Sequence, residues 1–82
     1  MAKIQKWSIT IEDETHNVEY TPCSLFSKAS IKINGKDYPL HNAKPFAASN
    51  EVFRLGSDRA IISIDARQKA TLTVEGEEIK EI

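Results

Sequence analysis

Apolar and polar residues alternate along most of the chain. Trp7, Ile9 and Ile11 are separated by polar residues, and Val18 and Tyr20 continue the alternation after a short interruption. A repeat of two residues is typical of β-strands with one buried face, whereas a helix would repeat every 3.6 residues. The same alternation recurs at Ala29, Ile31, Ile33, Phe53, Leu55, Ala60, Ile62, Ile64, Ala66, Ala70, Leu72, Val74 and Ile79. The pattern predicts about eight short strands and no helix.

Two matching hairpins stand out among the predicted turns. Asn34-Gly35 favours a two-residue type I′ turn because both residue types tolerate positive φ, and Glu75-Gly76 holds the equivalent place in the second hairpin. Asn34-Gly35 would set Ile31 opposite Tyr38. Both turns would keep the apolar residues of the paired strands on one face of the sheet.

Three further loops are predicted from the same requirement that apolar faces coincide. They are Asp13-Glu14, residues 56–59 and residues 67–69, which would set Ile11 opposite His16, Leu55 opposite Ala60 and Ile64 opposite Leu72. Residues 41–50 lack alternation and are predicted to cross from the first four strands to the last four. Two amphipathic sheets must cover each other's apolar faces, so we expect an all-β sandwich of two antiparallel sheets in two meanders.

Composition narrows the functional classes. The chain has 82 residues with 11 basic and 12 acidic side chains, and we expect residues 1–82 to form a single domain. The charges are interspersed, so the basic stripe typical of nucleic-acid binding is absent. No apolar run is long enough for a membrane span or a signal peptide. We therefore expect neither a nucleic-acid nor a membrane partner, and a cytoplasmic location. The single cysteine, Cys23, fits a reducing compartment.

Candidate chemistry is sparse, and no catalytic residue, cofactor or metal is expected. His16 falls on the apolar face of its strand and is interpreted as a hydrogen-bonded histidine of the core or edge. His41 is expected in a solvated loop. Cys23 is expected to be a small apolar loop residue, and two histidines with one cysteine lack the close spacing of metal motifs. The alternative is a small-ligand-binding domain, or an enzyme that uses Cys23 with one of the histidines.

Possible partner contacts lie in two places. Strand parity sends Val52, Arg54 and Ile61 to the outer face of the second sheet, with Ile61 predicted beside Arg54. Exposed apolar residues there are either ordinary surface scatter or the centre of a binding patch. Leu25 and Phe26, in the loop after the second strand, either plug one end of the sandwich, which is the preferred interpretation, or stand exposed as a contact.

Four stretches resemble the domain of the Fas apoptotic inhibitory molecule family in order and spacing. They are WSITIEDETHNVEY from Trp7, KINGK, FRLGSDRAIISIDA and TLTVEGEEIK, which ends at Lys80. The resemblance implies a compact sandwich of two antiparallel sheets and a non-enzymatic role through protein contacts, in animals as a regulator of death-receptor signalling. The animal protein is similar to two such domains in tandem, whereas this chain has one. We therefore expect a protein-interaction module or self-association.

Overall fold

The computed structural model describes residues 3–24 and 26–82, which form eight β-strands and no helix. The strands are β1 (Gln5–Ile11), β2 (Glu14–Thr21), β3 (Ser30–Ile33), β4 (Lys36–Pro39), β5 (Ser49–Leu55), β6 (Asp58–Ile64), β7 (Ala70–Val74) and β8 (Glu77–Ile79). They make two antiparallel four-stranded sheets in sequential order, β1 to β4 and β5 to β8. The expected all-β sandwich of two meanders is confirmed.

The core lies between the two sheets and is built from the inward positions of the alternation. The first sheet contributes Trp7, Val18, Tyr20, Ala29, Ile31 and Leu40, and the second contributes Leu55, Ala60, Ile62, Ile64, Ala70, Leu72 and Val74. Full burial of one such large side chain stabilises the fold by about 1.5 to 3 kcal/mol. Neither sheet could cover its own apolar face, so the two halves depend on each other.

The two matching hairpins form as predicted. Asn34 and Gly35 have φ of 52° and 85°, and Glu75 and Gly76 have φ of 48° and 85°. Positive φ at both central residues is the mark of a type I′ turn, whose twist matches that of the strands. Ile31 pairs with Tyr38, as expected.

The predicted register is wrong by two residues at the β1–β2 and β5–β6 turns. The first turn is Glu12-Asp13, with φ of 50° and 66°, so Ile9 rather than Ile11 faces His16. The second is a two-residue turn that begins at Gly56, where φ is 62°, and Ala60 pairs with Phe53. A glycine at the first central position is what a type II′ turn requires, so the strands pair two residues closer to the turn than expected.

The β6–β7 loop is also longer than predicted, because residues 65–69 close it and Ile64 pairs with Ala70. The carboxylate of Asp65 accepts hydrogen bonds from the backbone amides of Arg67 and Lys69, both at 2.9 Å. These bonds hold residues 65–69 in a turn, so β6 ends at Ile64 and β7 begins at Ala70. Ala66 is therefore an exposed loop residue and not a core residue.

The two sheets are joined by hydrogen bonds along one side of the sandwich and are separated by a groove along the other. On one side, the side-chain amide of Gln5 donates to the backbone carbonyl of Ala70 at 2.8 Å and accepts from its N–H at 2.7 Å. The backbone N–H of Ile82 donates to the carbonyl of Lys6 at 2.9 Å, so chain after β8 covers the edge of β1. On the other side, β4 and β5 are the edge strands, and a groove separates them.

Candidate protein-interaction surface

An apolar pair occupies the outer face of the second sheet. Val52 on β5 lies directly opposite Ile61 on β6, and the Val52 side of the pair is 55% exposed. The expected neighbour of Ile61, Arg54, instead lies opposite Arg59, because the β5–β6 register differs by two residues from the prediction. We call Val52, Arg54, Arg59 and Ile61 the Val52 patch.

The Val52 patch carries two like charges in neighbouring positions. Arg54 and Arg59 face each other across neighbouring strands, and like charges in directly opposite positions destabilise a sheet. Among the described residues, neither guanidinium forms a salt bridge. The guanidinium of Arg54 donates to the backbone carbonyl of Ser57, at 3.3 Å. The carboxylate of Glu75 accepts from the backbone N–H of Arg59, at 2.6 Å, and not from its guanidinium.

The outer face of the first sheet is different. A single row across its four strands carries Lys6, Glu19, Lys32 and Asp37 in directly paired positions. The signs alternate, and Lys6 Nζ lies 3.7 Å from Glu19 Oε1. The charges of this row compensate each other within the molecule, whereas the two arginines of the Val52 patch do not. The patch also borders a shallow depression of about 260 Å³ lined by Ile61, Arg59, Thr73, Glu75 and Gly76.

The loop between β2 and β3 does not plug the sandwich with Phe26. That side chain is 96% exposed, so the preferred interpretation of Phe26 was wrong. Ser24 fixes the loop instead, because its hydroxyl accepts from the backbone N–H of Phe26 and of Ser27, at 3.3 and 3.1 Å. Leu25, the other predicted contact in this loop, lies outside the described residues.

The groove between β4 and β5 has a volume of about 330 Å³. Tyr38 and Phe53 line it from opposite sheets, together with Ile31, Ile33, Pro39, Leu40, His41, Glu51 and Arg54. The carboxylate of Glu51 accepts from the backbone amides of His41 and Asn42, at 3.2 and 2.8 Å, and so anchors the start of the crossover. This inward-pointing charge on an edge strand is a device that discourages pairing with another strand.

His16 is buried on the apolar face of β2, as its position predicted. Its Nε2 atom has no hydrogen-bond partner, and the nearest carboxylate oxygen, Glu14 Oε2, is 3.9 Å away. The prediction of a hydrogen-bonded histidine is therefore wrong for this nitrogen. The ring packs against Gly56, where an added Cβ would lie 3.4 Å from Nε2.

Cys23 and His16 lie toward opposite ends of β2. Cys23 is partly buried against the core just beyond the end of β2. His16 lies near the start of that strand, which puts about 17 Å or more of extended chain between them. His41 is exposed in the crossover. No hydrogen bond joins Cys23 to a histidine within the described part of the chain.

Tyr20 is a buried tyrosine with a shifted pKa. Burial raises the pKa of Tyr20 to about 12, with smaller contributions in the same direction from Cys23 and Asp65. Its hydroxyl donates to the backbone carbonyl of Gln68 at 3.0 Å, which joins the two sheets. Tyr20 is thus a structural tyrosine that stays protonated.

Two features of the described residues bear on ligands and membranes. No group of three or more histidine, cysteine, aspartate or glutamate residues among them is arranged to hold a metal ion. The same residues include no helix long and apolar enough to cross a membrane.

Two surface residues were missed in the sequence. Arg59 was placed in a loop because the turn at Gly56 was predicted to be too long, and a strict Gly-X type II′ turn would have placed it opposite Arg54. Phe46, in the crossover, is 90% exposed, and its segment has no alternation from which exposure could be inferred.

Comparison with known protein families agrees with the resemblance carried by the four sequence stretches. The family model described as Fas apoptotic inhibitory molecule (FAIM1) matches residues 3–82. No curated protein and no solved structure matches the chain. The match spans both sheets and every hairpin, and the chain belongs to the Fas apoptotic inhibitory molecule family.

Proposed function

We propose that this protein is a non-enzymatic regulatory module that binds another protein through the Val52 patch. The observation that carries the proposal is the pairing of an exposed apolar centre with two arginines that have no acidic partner within the described residues. Arginine is enriched at binding hot spots. An apolar side chain contributes most to binding affinity when the surrounding contacts exclude water from it. The partner surface is therefore expected to present an apolar side chain flanked by carboxylates.

The two arginine charges favour binding of an acidic partner. Arg54 and Arg59 repel each other in the isolated sheet. A carboxylate placed between their guanidinium groups would remove that repulsion and form charge-assisted hydrogen bonds. Binding of an acidic segment thus stabilises the second sheet as well as the complex. The name of the family supports a regulatory role in apoptosis, which is part of the proposal.

The test is affinity capture from the native lysate with three tagged proteins. Wild-type protein is compared with Val52→Lys and with Ser8→Lys, which adds the same charge to the outer face of the first sheet. We expect partners captured by the wild type to be lost with Val52→Lys and kept with Ser8→Lys. Identical capture by all three folded proteins would refute the proposed surface.

Self-association is measured in parallel, by light scattering across a wide concentration range. If the partner is a second copy, the wild type forms a dimer and Val52→Lys is a monomer. Arg59→Glu is a second test variant. Reversal of one charge of the pair should lower the affinity for an acidic partner several-fold while the fold remains intact. A dimer that survives both substitutions would place the contact elsewhere.

The groove between β4 and β5 favours a second candidate, the binding of a small apolar ligand. Its volume of about 330 Å³ is at the lower end of the range of small-molecule sites, roughly 300 to 1,000 Å³. Tyr38 and Phe53 supply aromatic walls. The test is binding of the apolar dye 1-anilinonaphthalene-8-sulfonate to the folded protein, compared with Tyr38→Ala. Equal binding by the two proteins would remove this candidate.

A further inference from the structure

Three loops meet at one end of the sandwich, opposite the four tight turns. They are residues 22–24 with 26–29, residues 40–48 and residues 65–69, and together we call them the loop end. Hydrogen bonds connect them to the fold and to each other. Tyr20, just before the first loop, donates to the carbonyl of Gln68 at 3.0 Å, and the side-chain amide of Gln68 donates to the carbonyl of Lys44 at 3.1 Å.

Two phenylalanines stand out from the loop end. Phe26 is 96% and Phe46 is 90% exposed, so neither contributes to the core. Phe46 also has φ of 61°, a conformation that is unfavourable for a bulky side chain. Backbone strain of this kind concentrates at functional sites, and here it holds an aromatic ring in water.

The three loops of the loop end contain more cations than acidic residues. Its exposed cations are Lys28, Lys44, Arg67 and Lys69. Asp65 is the one acidic residue in these three loops, and its carboxylate already accepts two backbone hydrogen bonds. The three loops therefore carry a net positive charge, although the net charge of the chain is −1. Beside them, the carboxylate of Glu81 accepts a hydrogen bond from Gln5 at 3.0 Å.

We infer that the loop end docks on an anionic lipid surface, with Phe26 and Phe46 inserted among the acyl chains near the headgroups. Aromatic side chains that enter the interface, together with lysine and arginine beside anionic headgroups, are the two contributions to peripheral membrane binding. The sequence argued against a membrane partner because it has no spanning segment. Peripheral docking by loop tips requires none.

The chemistry of the loop end favours an anionic lipid surface. Four exposed cations share the three loops with two exposed aromatic rings, and the carboxylate of Asp65 is already bonded to backbone amides. Two separate aromatic tips suit a soft surface that closes around each of them.

The experiment is sedimentation of the full chain with vesicles. One set contains phosphatidylcholine alone, and the other contains equimolar phosphatidylcholine and phosphatidylserine. We expect binding to the second set only, with an affinity that falls as salt is raised, because each cation near an anionic surface contributes about fivefold. Absence of binding to the anionic vesicles at low salt would overturn the inference.

Two substitutions separate insertion from folding. Phe46→Gly removes the ring and suits the positive φ, so the unfolding midpoint should hold or rise while vesicle affinity falls about tenfold or more. Phe26→Ser should weaken binding to a similar extent. Emission from Trp7, which is buried in the core, reports that each variant is folded. Unchanged vesicle binding by the folded double variant would overturn the inference.

A third substitution distinguishes this inference from the proposed protein-binding function. Val52→Lys lies on the outer face of the second sheet and should leave vesicle binding unchanged while it abolishes protein capture. Lys44→Glu with Lys69→Glu should do the reverse. If the loop-end substitutions abolished capture of a protein and vesicles were not bound, the loop end would be a protein contact and the lipid inference would be wrong.

Discussion

Gln5 provides a sharp test of how the two sheets are joined. Its buried side chain makes two short hydrogen bonds with the backbone of Ala70 and donates a third, at 3.0 Å, to Glu81 Oε1. Gln5→Met keeps the length of the side chain but removes the bonds. Ala70 is itself buried, so its N–H and carbonyl would both lose their partner.

The expected cost follows from counting unsatisfied groups. Each buried backbone group left without a partner costs about 1 to 3 kcal/mol, so the two groups of Ala70 should lower the free energy of unfolding of Gln5→Met by about 2 to 6 kcal/mol. Domains of this size have roughly 5 to 15 kcal/mol in total. The loss is therefore large enough to shift a urea midpoint by about 2 M or more, given a slope near 1 kcal/mol per molar.

The assay is urea unfolding followed by the fluorescence of Trp7, which is buried in the folded state. Ser8→Ala serves as the matched control, because Ser8 lies on the same strand but faces outward. It should change stability by less than about 0.5 kcal/mol. If Gln5→Met stayed within that same margin, the bridge to Ala70 would contribute nothing and the reasoning would be refuted.

Two further predictions concern the core and the pH dependence of stability. Ile31→Asp or Ile64→Asp should unfold the domain by burying an unpaired charge, whereas Thr73→Asp should be mild, and equal thermal midpoints for all three would contradict the strand parity. Burial raises the pKa of Tyr20 from 10.0 to about 12, so the folded state favours the protonated hydroxyl. The contribution of this hydroxyl to the free energy of unfolding is therefore fully present below pH 10 and is lost as the pH rises through 12. The free energy of unfolding of Tyr20→Phe, measured between about pH 9 and pH 12, should fall less steeply with pH than that of the wild type.

Alternation alone determines which face a residue takes, but not which residue lies opposite it. A shift of two residues moves no side chain to the other face, so the predicted and observed pairings at Glu12-Asp13 and Gly56 bury the same residues. Turn geometry settles the difference. On the outer faces, such a shift changes which side chains become cross-strand neighbours. Val52 and Ile61 were therefore placed on the correct face, but the pair of Arg54 with Arg59 was not predicted.

Residues outside the alternating segments were the hardest to predict. Gln5 belongs to a polar N-terminal stretch, and its burial depends on a hydrogen bond to a strand 65 residues away. Phe26 was expected to fill the end of the sandwich, but the core closes without it, and the loop is held by serine hydroxyls. Such features depend on the packing of both sheets, which no local pattern encodes.

The most direct test of the proposed function is site-specific photo-crosslinking in the native cell. A photoreactive phenylalanine analogue is placed at Val52, and in a second protein at Ser8, which is exposed on the opposite sheet. We predict a discrete crosslinked protein from position 52 that is absent from position 8 and is lost when Arg59→Glu is added. Crosslinks of equal yield and identity from both positions, or none from position 52, would contradict a partner at the Val52 patch.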